Sequence, residues 1–328
     1  MLALAYKITP PPDSLVNFIK SHNNFLIVGH KEPDGDCVGS QLGLCLGLQQ
    51  IGKNAKCYSA GPFARGEIVK FKTFFSDVIS ESDKKDSAVI VVDCSTPERT
   101  GSIGQQIDGL PLALIDHHES GDPVGDAVFV DPSSPANTLL IFELLKALNV
   151  KITDEISAYL FLGLATDSGF FRHLNSDSPD VFTQAAELVK AGANPKTTFA
   201  QMNGGKTLNS RALLGTVLSK IKPYFGGKLI LTTEELEETQ RFGMESRDSD
   251  MLYQLIQSID GVEAIAVIRQ ESEANCTIGL RSKNDVDVGK IAAALGGGGH
   301  RNAAGGLKSG KINDIIPLVL AEFKKFFD

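Results

Sequence analysis

The chain has 328 residues, 42% of them hydrophobic and 22% charged, with a formal net charge of −8. That is long enough for two globular domains, and the acidic balance argues against a broad basic face that grips long duplexes. No apolar run reaches the ~18–20 residues of a membrane span, and Met1–Pro12 shows no signal-peptide pattern, so residence in the cytoplasm is expected.

Residues 14–22 predict a short amphipathic helix, and Phe25–Val28 a strand whose apolar run stops at His30. Asp34 and Asp36 follow across a Pro-Asp-Gly turn. Like charges held that close repel unless a cation sits between them, although Pro-Asp-Gly is also ordinary turn chemistry. Cys37–Ile51, rich in small and apolar residues, predicts a helix packed tightly on a sheet. Ala55–Ala60 reads as a second strand and Glu67–Phe75 as helical or irregular. Ser87–Val92 is continuously apolar, the pattern of a strand buried on both faces of a parallel sheet. It ends in Asp93, with Arg99 shortly beyond. The run from Leu112 repeats the design and ends in Asp116, His117 and His118; Ala127–Asp131 is another strand and Ala136–Leu148 a helix. Three strands thus put His or Asp at their C-terminal ends, the edge at which open α/β sheets bind ligands.

Thr153–Asp167 predicts a long apolar helix that ends in a carboxylate, where the helix dipole disfavours negative charge, so a compensating cation is expected. Pro179–Ala191 is a further helix, and 195–222 a polar helical stretch that suits a connector. Strands are expected at Leu229–Thr232, Ala264–Arg269 and Cys276–Arg281, with helices near 248–259, 286–295 and 312–327. Four glycines, Gly296 to Gly299, precede His300 and Arg301. In regular structure such a run costs roughly 0.5–1 kcal/mol per residue. It is read as a nest of backbone N–H groups for an oxyanion, with a flexible hinge as the other reading. The five cysteines, Cys37, Cys45, Cys57, Cys94 and Cys276, form no CxxC pair and read as small buried residues. Cys37 and Cys94 each follow a candidate ligand aspartate, which leaves a zinc role open.

Taken in order, His30-x3-Asp34-x-Asp36, Asp93, Asp116-His117-His118, Thr166-Asp167-Ser168-Gly169 and the glycine run through His300 to Gly305 resemble the DHH/DHHA1 phosphoesterase family. The likeness covers nearly the whole chain and is greatest to the nanoRNase/pAp phosphatase branch. It implies an α/β protein: an N-terminal DHH domain with a mainly parallel sheet flanked by helices (1–195), a helical linker (196–222) and a smaller C-terminal α/β DHHA1 domain (223–328). The implied activity is metal-dependent hydrolysis of short oligoribonucleotides or of the 3′-phosphate of pAp. Cyclic or linear dinucleotides, polyphosphate and pyrophosphate are alternatives at the same site.

The resemblance further implies two divalent ions. His30, Asp34 and Asp93 would hold one; Asp36, Asp93, His117 and Asp167 the other, with Asp93 bridging and Gly35 letting Asp34 and Asp36 point at different ions. Mixed carboxylate and imidazole ligation favours Mn²⁺, and a water activated between the ions would attack phosphorus in line. His118 would face the substrate phosphate or leaving oxygen, and Asp116 would orient His117. Arg99, Arg281, Gly297, Gly298, Gly299, His300 and Arg301 are candidate substrate contacts; Phe170 and Phe171 could stack a base or belong to the core. Short oligoribonucleotides or phosphorylated nucleotides are the expected partners, without long duplexes or membrane, and a homodimer is compatible with the family.

Overall fold

The computed structural model describes residues 6–283 and 285–327; the start of the N-terminal stretch read above lies outside them. The chain divides into two compact units, Met1–Gly205 and Lys206–Asp328.

The first unit is built on β1 (Asn24–Val28), β2 (Asn54–Tyr58), β3 (Phe75–Ser76), β4 (Ser87–Val92), β5 (Leu112–Asp116) and β6 (Ala127–Val130). They form one parallel sheet in the order β3-β2-β1-β4-β5-β6. Every residue of β4 is buried, as its unbroken apolar run requires. The register sets Val28 beside Val91 and Val92 beside Ile115, so the strands carrying His30, Asp93 and Asp116 end at one edge. Strand order reverses between β1 and β4, which places the crevice of a doubly wound sheet between His30 and Asp93.

Around the sheet lie α1 (Asp13–Ser21), α2 (Gly35–Gln50), α3 (Glu81–Lys84), α4 (Asn137–Ala147), α5 (Asp154–Asp167), α6 (Pro179–Ala191) and α7 (Pro195–Asn203). One core, including Leu44, Ile90, Leu140 and Leu160, fills the space under α2, α4 and α5, and a second, including Leu26, Val89, Val91 and Ile103, covers the other sheet face. The small residues of α2 serve helix–helix approach as much as packing on the sheet. A Cβ at Gly39 would lie 2.4 Å from the Tyr159 carbonyl oxygen, and one at Gly47 2.3 Å from Leu145 Cδ2. Gly35 has the same cause: its Cβ would meet Thr166 Oγ1 at 2.4 Å, so close contact with α5 accounts for this glycine without reference to where Asp34 and Asp36 point.

The second unit comprises α8 (Leu208–Leu218), β7 (Lys222–Tyr224), β8 (Leu229–Glu234), α9 (Leu236–Phe242), α10 (Ser249–Gln257), β9 (Ala264–Ser272), β10 (Asn275–Ser282), α11 (Val288–Ala294), β11 (Gly298–His300), β12 (Ala303–Ser309) and α12 (Ile312–Phe327). Its sheet runs β11-β12-β10-β9-β8-β7, antiparallel except for the β8–β9 pair. Glu234, 2% exposed, accepts hydrogen bonds from Arg247 Nε (2.6 Å), Arg269 Nε (3.0 Å) and Thr239 Oγ1 (2.7 Å), so its buried charge is paired.

The stretch expected as a single polar connector is two helices divided between the units: α7 ends the first, and α8 buries Leu213 and Val217 against Ile230 and Ile265 of the second. The glycine run is a hairpin arm. The Gly296 and Gly297 N–H groups donate to the Ala293 and Ala292 carbonyls and close α11, while Gly298–His300 pairs with β12. A Cβ at Gly297 would stand 2.3 Å from the Gly305 oxygen. Close backbone approach accounts for Gly297 and Gly299, whose Cβ atoms would meet the Gly305 oxygen and Ala304 Cα, whereas Gly296 and Gly298 face open space.

Candidate metal centre

Asp93 stands at the middle of the site. It follows β4 in a left-handed conformation (φ 58°), is 2% exposed, and its Oδ1 has no hydrogen-bond partner among the described residues. His30 Nε2 lies 3.4 Å from Asp93 Oδ2, and His117 Nε2 lies 3.3 Å from Oδ1. Each carboxylate oxygen thus faces one imidazole.

On the His30 side, Asp34 Oδ1 is 3.8 Å from His30 Nε2 and also caps α2, accepting the N–H groups of Asp36 and Cys37 at 3.1 Å each. His30 Nδ1 is held by the Lys31 carbonyl at 2.8 Å, which leaves Nε2 to face the carboxylates. On the His117 side, Nε2 is 3.7 Å from Asp36 Oδ2 and 3.4 Å from Asp167 Oδ2, and Nδ1 is held by the Ser134 carbonyl at 3.0 Å. Asp36 is wholly buried and accepts N–H groups from Asn137 (2.5 Å) and Thr138 (2.9 Å). The amino end of α4 thereby steadies its charge, a support with no signal in the local sequence.

Three donor groupings have atoms within 4.8 Å of one another: His30, Cys37 and Asp93; Asp93, His117 and His118; Asp36, His117 and Asp167. Five of the six residues expected as ligands fall in these groupings, and the sixth, Asp34, lies beside His30 with Oδ1 3.8 Å from Nε2. Of the two cysteines that follow a candidate ligand aspartate, Cys37 joins these groupings and Cys94 does not.

Asp116 has a different partner from the one expected. Its Oδ1 accepts His118 Nδ1 at 2.7 Å and the N–H groups of His117 and His118, while Ser95 Oγ donates to Oδ2 at 2.6 Å. It orients the His118 ring and reaches His117 only through the backbone, because a side chain at the strand end turns toward the ring two residues on. Ser95, two residues past Asp93 and 3% exposed, had no motif to mark it.

The electrostatics are those of acids short of a counter-charge. Burial, then the charges of Asp93 and Asp167, push Asp36 well above the carboxylate range. Burial and Asp93 raise Asp167 to about 7. Burial alone would lower His117, but contact with Asp93 and the charges of Asp36, Asp93 and Asp167 raise it to about 10. Burial opposes ionisation of Asp34 as well, yet His30 and the Cys37 N–H hold it down at about 2. Burial would also lower His30, but Asp34 and Asp93 raise it far above the ordinary imidazole value. An orphaned buried carboxylate oxygen beside acids forced to retain protons fits divalent cations, and oxygen and imidazole are donors for such ions.

The remaining candidates lie elsewhere. Arg99 is exposed, and its carbonyl accepts the Lys31 N–H at 2.9 Å. Phe170 and Phe171, both left-handed (φ 56° and 69°), pack partly buried against Phe161. In the second unit the Arg281 guanidinium stacks over Tyr253 at 4.5 Å, and His300 and Arg301 are exposed on the β11–β12 hairpin.

A parallel sheet with acids and imidazoles at its carboxyl edge, followed by a separate mixed-sheet unit, defines a phosphoesterase of the DHH class. Residues 24–164 match the DHH family, N-terminal domain, and residues 226–326 the DHHA1 domain; the chain belongs to the DHH family. Among characterised relatives it is 33% identical over 285 residues to the bifunctional oligoribonuclease and PAP phosphatase NrnA of Thermus thermophilus, covering 87% of this chain and 84% of that one. It is 26% identical over 289 residues to a probable enzyme of the same name from Streptococcus mutans, covering 88% and 90%. An exopolyphosphatase-related protein from Bacteroides fragilis shares the fold, with TM-score 0.76, 22% identity and 96% of each chain covered.

Proposed function

We propose that the chain is a hydrolase for short oligoribonucleotides and for the 3′-phosphate of pAp, using two divalent ions, Mn²⁺ by preference. The observation that carries this reading is Asp93, buried and unpartnered at Oδ1, with an imidazole before each oxygen. The activities printed for the Thermus thermophilus and Streptococcus mutans relatives supply the substrate class.

His30, Asp34 and Asp93 would hold one ion, and Asp36, Asp93, His117 and Asp167 the other. When bound, such ions polarise a phosphoryl oxygen and make a water nucleophilic at neutral pH. The chain's own groups do the rest. Lys31 and Ser134 carbonyls fix the tautomers of His30 and His117. Asp116, held by Ser95, keeps the His118 proton on Nδ1 and leaves Nε2 for a leaving oxygen or a phosphoryl oxygen. Arg99 in the first unit, and Arg281, Gly297, Gly298, Gly299, His300 and Arg301 in the second, are the residues we assign to the rest of the substrate. The five cysteines are free, which suits the cytoplasm we assign as its location, and a homodimer is the assembly the family suggests.

The test is a product assay with Mn²⁺ on pAp, pApA, 2-mer to 10-mer RNA, a long RNA duplex and polyphosphate. Release of phosphate from pAp and of mononucleotides from the shortest RNAs is expected. Turnover of polyphosphate alone would sink the assignment.

A further inference from the structure

Cys37 sits in the first turn of α2, immediately after Asp36, and is wholly buried. Its Sγ lies within 4.8 Å of donor atoms of both His30 and Asp93. The position is built: a Cβ at Gly29 would lie 2.2 Å from this sulfur, so the residue before His30 must be glycine for the thiol to reach the histidine. Gln41 fixes the rotamer from the other side. Its Nε2 donates to the Ile27 and Tyr58 carbonyls at 2.9 Å each, which turns Oε1 toward Cys37 Sγ at 3.7 Å. Asp93 of the same group is 2% exposed and presents Oδ2 to His30 at 3.4 Å, while its other oxygen, Oδ1, has no hydrogen-bond partner among the described residues. Cys94 contrasts with it: one residue beyond Asp93, it packs among Val28, Val91 and Ile103.

We propose that Cys37 is a further metal-binding residue, a thiolate donor that lets the His30 half of the centre take thiophilic divalent cations such as Zn²⁺, Co²⁺ or Cd²⁺. The proposal rests on the metal-centre reading above and deepens it. His30 nitrogen, Cys37 sulfur and carboxylate oxygen from Asp93, with Asp34 beside His30, form a mixed set suited to a four-coordinate borderline ion. A hard ion such as Mn²⁺ gains little from sulfur and leaves the thiol protonated against Gln41. With a soft ion the S–H bond breaks, an S–metal bond forms, and the proton passes to solvent. The centre would thus hold two classes of metal through one change of ligand.

Co²⁺ titration of the metal-free full chain tests this, with binding followed by calorimetry and sulfur ligation by absorbance. The expected result is a thiolate-to-cobalt charge-transfer band in the near ultraviolet, present in Cys94→Ala and lost in Cys37→Ala. A parallel Zn²⁺ sample of the unmodified chain, read by X-ray absorption, should show a sulfur neighbour at about 2.3 Å, and needs no variant to fold. Cobalt binding without the band, a band that survives Cys37→Ala, or zinc with only nitrogen and oxygen neighbours would overturn the proposal. Failure of both Co²⁺ and Mn²⁺ to bind would instead overturn the metal centre on which it rests.

Discussion

Asp116 Oδ1 lies 2.7 Å from His118 Nδ1, and its Oδ2 accepts Ser95 Oγ at 2.6 Å. The acid is a positioning group. Burial works against its charge, but His118 and Ser95 hold it below the ordinary carboxylate range, so it stays an acceptor at neutral pH and fixes the His118 proton on Nδ1. Asp116→Asn keeps the shape and removes that preference. We expect kcat to fall by about 10²–10⁴, the scale of a mispositioned acid–base group, with KM changed by less than about threefold. Bound metal, read by elemental analysis, should be unchanged; a variant that loses metal would show Asp116 to be a ligand.

Gly163 leads to a second expectation. A Cβ there would stand 2.4 Å from Thr138 Cγ2 and 2.6 Å from Asp36 Oδ1, where α5 passes the amino end of α4. Gly163→Ala must push Asp36 off the Asn137 and Thr138 N–H groups or move the helix. Overpacking of this kind costs about 1–3 kcal/mol, and the displaced carboxylate should weaken one metal site while sparing the other. Calorimetric titration with Mn²⁺ should show one of two sites weakened at least tenfold; two unchanged sites would refute the argument.

These two cases mark how far the sequence could be read. Ser87–Val92 and the acid after it were legible, since a fully apolar strand has few alternatives and fixes where Asp93 emerges. His30, Asp34, Asp36, His117 and Asp167 were legible for the same reason, at the ends of strongly patterned elements. Support from other elements was not. Asp36 meets Asn137 and Thr138 about a hundred residues away, and no spacing rule links them. Asp116 could serve either neighbouring histidine until the turn after β5 was known. At Gly296–Gly299 an entropic argument sees the cost of the glycines but not the strand Ala303–Ser309 that presses against Gly297 and Gly299. The stretch 195–222 was read as one connector because its polar residues mask Leu213 and Val217, which acquire a core only from the strands of the second unit.

A third expectation concerns pH. Burial and Asp93 raise Asp167 to about 7, and the surrounding acids raise His117 to about 10. An acid whose folded value is raised favours the metal-free fold at pH below its ordinary value, and that contribution is lost as pH climbs through about 7. Histidine with a raised value likewise stabilises the metal-free fold at low pH, and loses the contribution as pH climbs through about 10. Metal must displace both protons. Apparent Mn²⁺ affinity should therefore fall more than about tenfold per pH unit below 7, since each retained proton contributes up to tenfold. The rise in melting temperature caused by Mn²⁺ should grow from pH 6 to pH 8. A metal-induced shift that is flat across this range would contradict the protonation scheme.

The last expectation concerns the turn after Asp167. Gly169, Phe170 and Phe171 are consecutive left-handed residues, with φ of 57°, 56° and 69°. For a side chain other than glycine this conformation costs roughly 1–2 kcal/mol. The rings offset that cost: Phe171 stacks on Phe182 at 5.5 Å and contacts Phe161 and Phe170 at 6.0 and 5.6 Å, while the Phe171 N–H donates to Ser168 Oγ at 2.9 Å. Removing the ring and removing the strain are separable. Phe171→Ala loses the ring and keeps the strain; Phe171→Gly loses both. Glycine is ordinarily worse than alanine by about 0.5–1 kcal/mol within regular structure, but here the order should reverse, with Phe171→Gly the more stable by about 1 kcal/mol. Urea unfolding of the metal-free variants measures the difference directly. If alanine proves the more stable, the turn carries no left-handed strain.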